Sequence, residues 1–201
     1  ALLICVQIVS AQTDFRPGYV ILNSGDTIHG QIDYRGDLLM CSLCRFKNID
    51  NTVQEYTPTE IQAYRFIDSK YFVSKEVDSK TVFLEYLING KVNIYYLRDL
   101  QGDSYYIEKD GSGITKLPYD EGETYVENKR AFYKTTKHIG LLNYYMGDAP
   151  ELQTKIYEFG EPTHQNLIKL AEEYHNVVCD GERCIIYEKK EPAVKVNFEL
   201  V

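Results

Sequence analysis

The sequence predicts an α+β fold: a mainly antiparallel β-sheet of about eight short strands followed by a small helical subdomain. Three observations carry this. Between residues 18 and 118, short alternating apolar runs are separated by Gly, Asp and Asn turns. Connections this short make neighbouring strands antiparallel. From near residue 130 the apolar spacing lengthens to three and four residues, as helices require.

The stretch RPGYVILNSGDTIHGQIDY, residues 16–34, reads as a hairpin turning at Gly25-Asp26. Tyr19 and Ile21 alternate with Val20 and Leu22. After the turn, Ile28, Ile32 and Tyr34 share one face, and His29, Gln31 and Asp33 the other. CRFKNI is a further strand. TVQEYTPTEIQAYRF reads as strand, one helical turn and strand, because Thr57-Pro58-Thr59-Glu60 has the form of a capping box with Pro at the first helical position. YFVSKEV follows. TVFLEYLINGKVNIYYLRDL turns at Asn89-Gly90, and SYYIEKDGSGITKLPY turns at Asp110-Gly111.

KHIGLLNYYMG and APELQTKIYEFG then take helical spacing, with Leu152, Ile156 and Phe159 on one stripe. In THQNLIKLAEEYHNVV, Leu167, Leu170, Ala171, Tyr174 and Val178 recur at helical steps behind Thr163 as N-cap. The β-rich domain is placed at residues 12–125, and the helical subdomain with a closing hairpin at 126–191. After Pro192, the apolar Val194, Val196, Phe198 and Leu200 alternate with Lys195, Asn197 and Glu199. That pattern fits a last edge strand or the first strand of a further domain.

Residues 1–11, ALLICVQIVSA, are uncharged and mostly apolar and end in the small residues Val9-Ser10-Ala11. They read as the remnant of a secretory signal peptide, with Gln12 the first mature residue. The run is too short to cross roughly 30 Å of hydrocarbon. The net charge of −8 argues against nucleic acid as a partner and against electrostatic binding to anionic lipid.

Tyr occurs 18 times and Trp not at all. Tyr suits strands, and it suits sugar or protein recognition. Tyr95, Tyr96, Tyr105 and Tyr106 are the candidate binding residues, with cross-strand packing as the competing reading. No G-x-S-x-G elbow, P-loop or dinucleotide fingerprint occurs. His29, His138, His164 and His175 lack metal-ligand spacing, so neither metal nor cofactor is expected. A secreted hydrolase would need convergent acids, and Asp26, Asp33 and His29 are its first suspects.

Beyond Cys5, the chain has Cys41, Cys44, Cys179 and Cys184. The two close pairs could hold zinc as four thiolates. An exported chain meets an oxidising compartment, which favours a Cys179–Cys184 disulfide across the Asp180-Gly181 loop. The pairing of Cys41 and Cys44 stays open: with each other, with the second pair, or reduced and buried. LLMCSLCRF leads into a strand, so it does not read as a thioredoxin-type site.

The succession GYVILNSGDTIHGQIDY, EYTPTEIQAYRF, KVNIYYLRD, YYIEKDG and NLIKLAEEYHNVVC resembles the exported N-terminal region of Bacteroidetes envelope proteins. In that family the region often precedes an outer-membrane β-barrel of the porin-like superfamily. The likeness covers roughly residues 17 to 190 and consists of turns and aromatic strands. It implies the periplasm or outer membrane of a Gram-negative bacterium, with membrane attachment through a barrel, and it carries no catalytic residues. Residues 192–201 would then begin the first barrel strand. The chain departs from the family at Ala149, where a Cys often stands before the Pro. The expectation is therefore a non-enzymatic envelope domain, structural or binding an envelope protein or glycan. A secreted carbohydrate-binding module is the alternative, and a secreted hydrolase the lesser one.

Overall fold

The computed structural model describes residues 13–67 and 69–187. The expectations for the leader and for residues 192–201 lie outside the described residues. Ten strands come first: β1 (Phe15–Leu22), β2 (Thr27–Asp33), β3 (Cys44–Lys47), β4 (Val53–Tyr56), β5 (Ile61–Phe66), β6 (Tyr71–Val77), β7 (Lys80–Asn89), β8 (Asn93–Asp99), β9 (Gly102–Glu108) and β10 (Thr115–Leu117). A short helix, α1 (Asp37–Met40), interrupts them after β2. A separate hairpin follows, β11 (Glu121–Val126) and β12 (Lys129–Lys134). The helical part is α2 (Lys137–Met146), a 3-10 turn at Pro150–Leu152, α3 (Gln153–Tyr157) and α4 (His164–Val178). β13 (Ile185–Ile186) returns to pair with β7.

The fold is thus mainly antiparallel sheet with a C-terminal helical part, but with 13 strands among the described residues rather than about eight. The main sheet runs β10-β9-β8-β7-β6-β5-β1-β2-β3-β4. It is two meanders joined where β1 lies against β5, and every pairing is antiparallel. The Thr57–Glu60 stretch forms its capping contacts without a helix. The Glu60 carboxylate accepts from the Thr57 N–H and hydroxyl, each at 2.7 Å, and β5 resumes at once.

The sheet has two buried faces. On the inner face, Ile28, Val20, Tyr64, Phe72, Glu85, Tyr96, Tyr105 and Leu117 are successive register partners across eight strands. The β1–β5 side of this row joins Phe46, Phe66 and Phe83 in one core. The β8–β10 side packs under the helices, against Leu142, Met146, Leu167, Leu170, Ala171 and Tyr174. That core draws on strands and helices together, so it spans the boundary expected at residue 125. Ala149 is fully buried in it. On the outer face a third cluster gathers Cys41, Val77, Leu84, Tyr95, Leu97 and Tyr106.

Gly18 and Gly30 face each other in register. A Cβ at Gly18 would lie 2.6 Å from both the Arg65 carbonyl oxygen and Ile32 Cδ1. Glycine lets the strands and the inner core approach this closely. The β11–β12 hairpin has Glu127 and Asn128 at its turn, with φ of 50° and 63°. That left-handed pair closes a two-residue hairpin.

Helices α2 and α4 form where the sequence places them, while the helical stripe expected of APELQTKIYEFG divides into the 3-10 turn and the short α3, which ends before Phe159. Thr163 caps α4, its Oγ1 accepting from the Asn166 N–H at 3.3 Å. The buried face of α4 is Leu167, Ile168, Leu170, Ala171, Tyr174 and His175.

Candidate functional site

The four candidate tyrosines separate onto two faces. Tyr95 and Tyr106 are register partners on the outer face, and Tyr96 and Tyr105 on the inner one. All four are buried, between 2% and 9% exposed. The accessible binding row expected of them is not formed, because consecutive strand residues point to opposite faces and both faces are covered.

The outer-face pair belongs to a longer line. His29, Tyr19, Arg65 and Tyr71 are successive register partners, as are Tyr86, Tyr95, Tyr106 and Lys116. Tyr71 and Tyr86 join the two halves, with ring centroids 6.0 Å apart and near-parallel planes. Tyr86 stacks on Tyr95 at 4.6 Å, and Tyr187 closes over Tyr71 and Tyr86 at 5.0 Å from each. Arg65 sits over the Tyr187 ring at 4.8 Å. Tyr71, Tyr86 and Tyr95 turn their faces to one another, and Tyr187 is tilted against the first two.

The hydroxyl of Tyr95 donates to Glu108 at 2.6 Å, and Lys75 approaches both oxygens of that carboxylate at 3.0 Å. Lys75 is on β6 and Glu108 on β9, so the sheet coils enough for these side chains to meet across two intervening strands. Burial pushes the Tyr95 and Tyr86 phenols well above their ordinary range. Burial would raise the Glu108 carboxyl too, but hydrogen bonds from Tyr95 and Lys75 and the lysine charge hold it below the usual value.

On the inner face a polar seam divides the two cores. Glu85, 1% exposed, takes the ammonium of Lys70 at 2.8 Å, and Asp37 on α1 takes the same ammonium at 2.7 Å. The next strand places Tyr96 beside Glu85, and its hydroxyl donates to Asp103 at 2.7 Å. Arg98 pairs with the same oxygen at 2.6 Å. His164, the first residue of α4, packs 4.3 Å from the Tyr96 ring and shares a 2.8 Å hydrogen bond with Tyr105 through Nδ1. Burial lowers the His164 pKa, and the Lys70 charge adds to this.

Beside this cluster opens a cleft of about 580 Å³, between the β9–β10 end of the sheet, the base of the β11–β12 hairpin and the start of α4. Its walls carry Lys116 and Lys137 against Asp103, Asp120 and Glu161, with Tyr119 at one side. Ser104, Thr135 and Thr163 also line it. The arrangement offers paired donors and acceptors to a polar ligand. His164, next in the chain to the lining Thr163, is engaged by Tyr105 rather than by a nucleophile.

The suspects for hydrolysis do not converge. Asp26 is exposed in the first turn, bonded to Ser24 at 2.7 Å. Asp33 ends β2, roughly 20 Å further along the strand by its rise per residue. There its buried side chain holds Arg45 at 2.7 Å. His29 is exposed and tilted on Tyr19.

The Cys179–Cys184 bridge is not formed, and all four described cysteines are free thiols. Cys184 is seated on the helix-side core close to Gly90 and His175, while Cys179 ends α4 in extended backbone. Cys41 and Cys44 are buried in different cores. Burial pushes both thiols up. Among the described residues no group of three or more His, Cys, Asp or Glu is placed to hold a metal ion. No described helix is long and apolar enough to cross a membrane.

Sequence reasoning missed the seam of Lys70, Asp37 and Glu85 and the seat of His164. A signal for the first was present: Glu85 is a lone acid in the apolar run TVFLEYLI, on the face that carries Phe83. Such an acid needs a buried cation.

Comparison with known protein families, with curated protein sequences and with solved structures finds no match.

Proposed function

We propose that the chain is a non-catalytic cell-envelope module, the soluble N-terminal part of an outer-membrane β-barrel protein, acting as a rigid platform for a ligand or partner. The observation that carries this reading is the mutual commitment of its partly buried ionisable groups. Lys75 holds Glu108, Lys70 holds Asp37 and Glu85, and Arg45 holds Asp33. Lys109 binds Asp148 and the Tyr174 hydroxyl, tying β9 to the helices. A general base must be free to take a proton from its substrate. These groups instead brace one element against another.

Recognition is left to the cleft beside His164 and Tyr105, where neutral donors mix with both signs of charge. The apolar leader and the resemblance over residues 17 to 190 support the envelope placement. A carbohydrate-binding module would need open aromatic faces for stacking. The four candidate tyrosines are buried and the outer-face rings are stacked on each other, so this row offers no such face, which favours the platform over that alternative.

Antibody against this domain, applied to fractionated cells, is expected to label the outer-membrane fraction, with the label retained after alkaline carbonate washing. Recovery of the protein in the cytosol refutes the reading.

A further inference from the structure

The β11–β12 hairpin stands apart from the main sheet as a two-stranded unit. It exposes Phe132 (77%), Tyr125 (73%), Val126 (58%) and Tyr133 (42%). A lone two-stranded hairpin is at best marginally stable in water, so so much exposed ring surface calls for a second contact. We propose that this hairpin is an arm that seats its aromatic side chains in the interfacial region of a phospholipid bilayer. The proposal rests on the envelope reading above and names the surface that the platform approaches.

Charge selects this occupant. The arm carries Glu121, Glu123 and Glu127 against Lys129, Arg130 and Lys134, three negative and three positive, so it is neutral in a chain of net charge −8. The acidic body is repelled by anionic lipid, and the arm is the part that can approach it. The register puts Tyr125 beside Arg130 and Phe132 beside Glu123 on one face. Arg130 also lies over the Phe132 ring at 5.5 Å and pairs with Glu123. Rings flanked by cations are the composition of a membrane–water interface, where the ring lies at headgroup level and the cation reaches phosphate.

The base of the arm is held. Asp120 and Thr135 exchange backbone and side-chain hydrogen bonds of 2.9 and 3.0 Å, and Tyr133 donates to Asp120 at 3.0 Å. Each strand has six residues, a reach of roughly 20 Å, ample for an insertion depth of about 5–10 Å.

The chain contains no Trp, so Phe132→Trp supplies a single indole reporter at the arm. With vesicles of phosphatidylethanolamine and phosphatidylglycerol, its emission is expected to shift to the blue and the protein to float with the lipid. The Tyr125→Ala/Phe132→Ala variant is expected to lose vesicle partitioning by roughly tenfold, with its thermal unfolding unchanged because both side chains are exposed. Unshifted emission, equal flotation of the double variant, or burial of the indole in a lipid-independent dimer overturns the proposal. Outer-membrane recovery in cells together with failed vesicle binding removes the arm's role and leaves the envelope reading standing.

Discussion

Replacing Lys75 by Met should weaken the sheet by an amount that depends on pH. The ammonium lies 3.0 Å from both oxygens of Glu108, and Tyr95 donates to that carboxylate at 2.6 Å. The two side chains keep 31% and 19% exposure, between a surface pair and a sealed one. At an effective dielectric of about 20, opposite charges about 3 Å apart attract by roughly 5 kcal/mol. Partial desolvation of both ions and the lost freedom of the lysine chain remove more than half of this. A coupling of about 2 kcal/mol is therefore expected from the double-mutant cycle of Lys75→Met and Glu108→Gln.

Urea unfolding followed by circular dichroism at about pH 7 reads this directly. The Lys75→Met variant alone should lose roughly 4–8 °C in Tm. The Glu108 carboxyl is held below its ordinary 4.5 in the folded protein, against the upward push of burial, by the Tyr95 and Lys75 hydrogen bonds. Its contribution is complete above that ordinary value and disappears as pH falls through the lower folded value. The coupling must therefore shrink as pH falls below the ordinary carboxylate range and through the lower folded value. A coupling below about 0.5 kcal/mol at neutral pH, or one undiminished in acid, refutes the bracing role of this pair.

Burial lowers the folded pKa of both His138 and His164 below 6.5, so the unfolded chain takes up protons first as pH falls. Their contribution is full above about pH 6.5 and declines below it, so Tm should drop as pH falls below about 6.5 and the drop should lessen in His164→Gln; a flat profile contradicts this. Gly18→Ala should cost roughly 1–3 kcal/mol in denaturant unfolding, because its Cβ meets the Arg65 carbonyl. Gly113→Ala, with open space around it, is the control and should change stability by no more than about 0.5 kcal/mol.

The meander from Ile61 to Leu117 is legible in the sequence because Asn89-Gly90 and Asp110-Gly111 mark turns between alternating runs. Helix α4 is legible because Thr163 caps a stripe of evenly spaced apolar residues. The β11–β12 hairpin is not, since its turn of Glu127 and Asn128 adopts positive φ without glycine and its strands are short and mostly polar. The candidate site is only partly legible. Tyr95-Tyr96 and Tyr105-Tyr106 are visible as strand pairs, but alternation alone puts one of each on either face. That the outer face is covered depends on coiling that brings Lys75 to Glu108, a contact between residues 33 apart. The partnership of His164 with Tyr105 spans 59 residues and leaves no local trace.

The seam formed by Glu85, Lys70 and Asp37 bears on how the strands find their alignment. A slip of one position between β6 and β7 would turn Glu85 to the opposite side of the sheet and bring Leu84 or Tyr86 under α1 instead. A slip of two would keep the side but carry the acid away from its lysine and into hydrocarbon. Misaligned states thus lose a charge partner as well as packing, so the one acid in an otherwise greasy strand works as a proofreading mark for assembly.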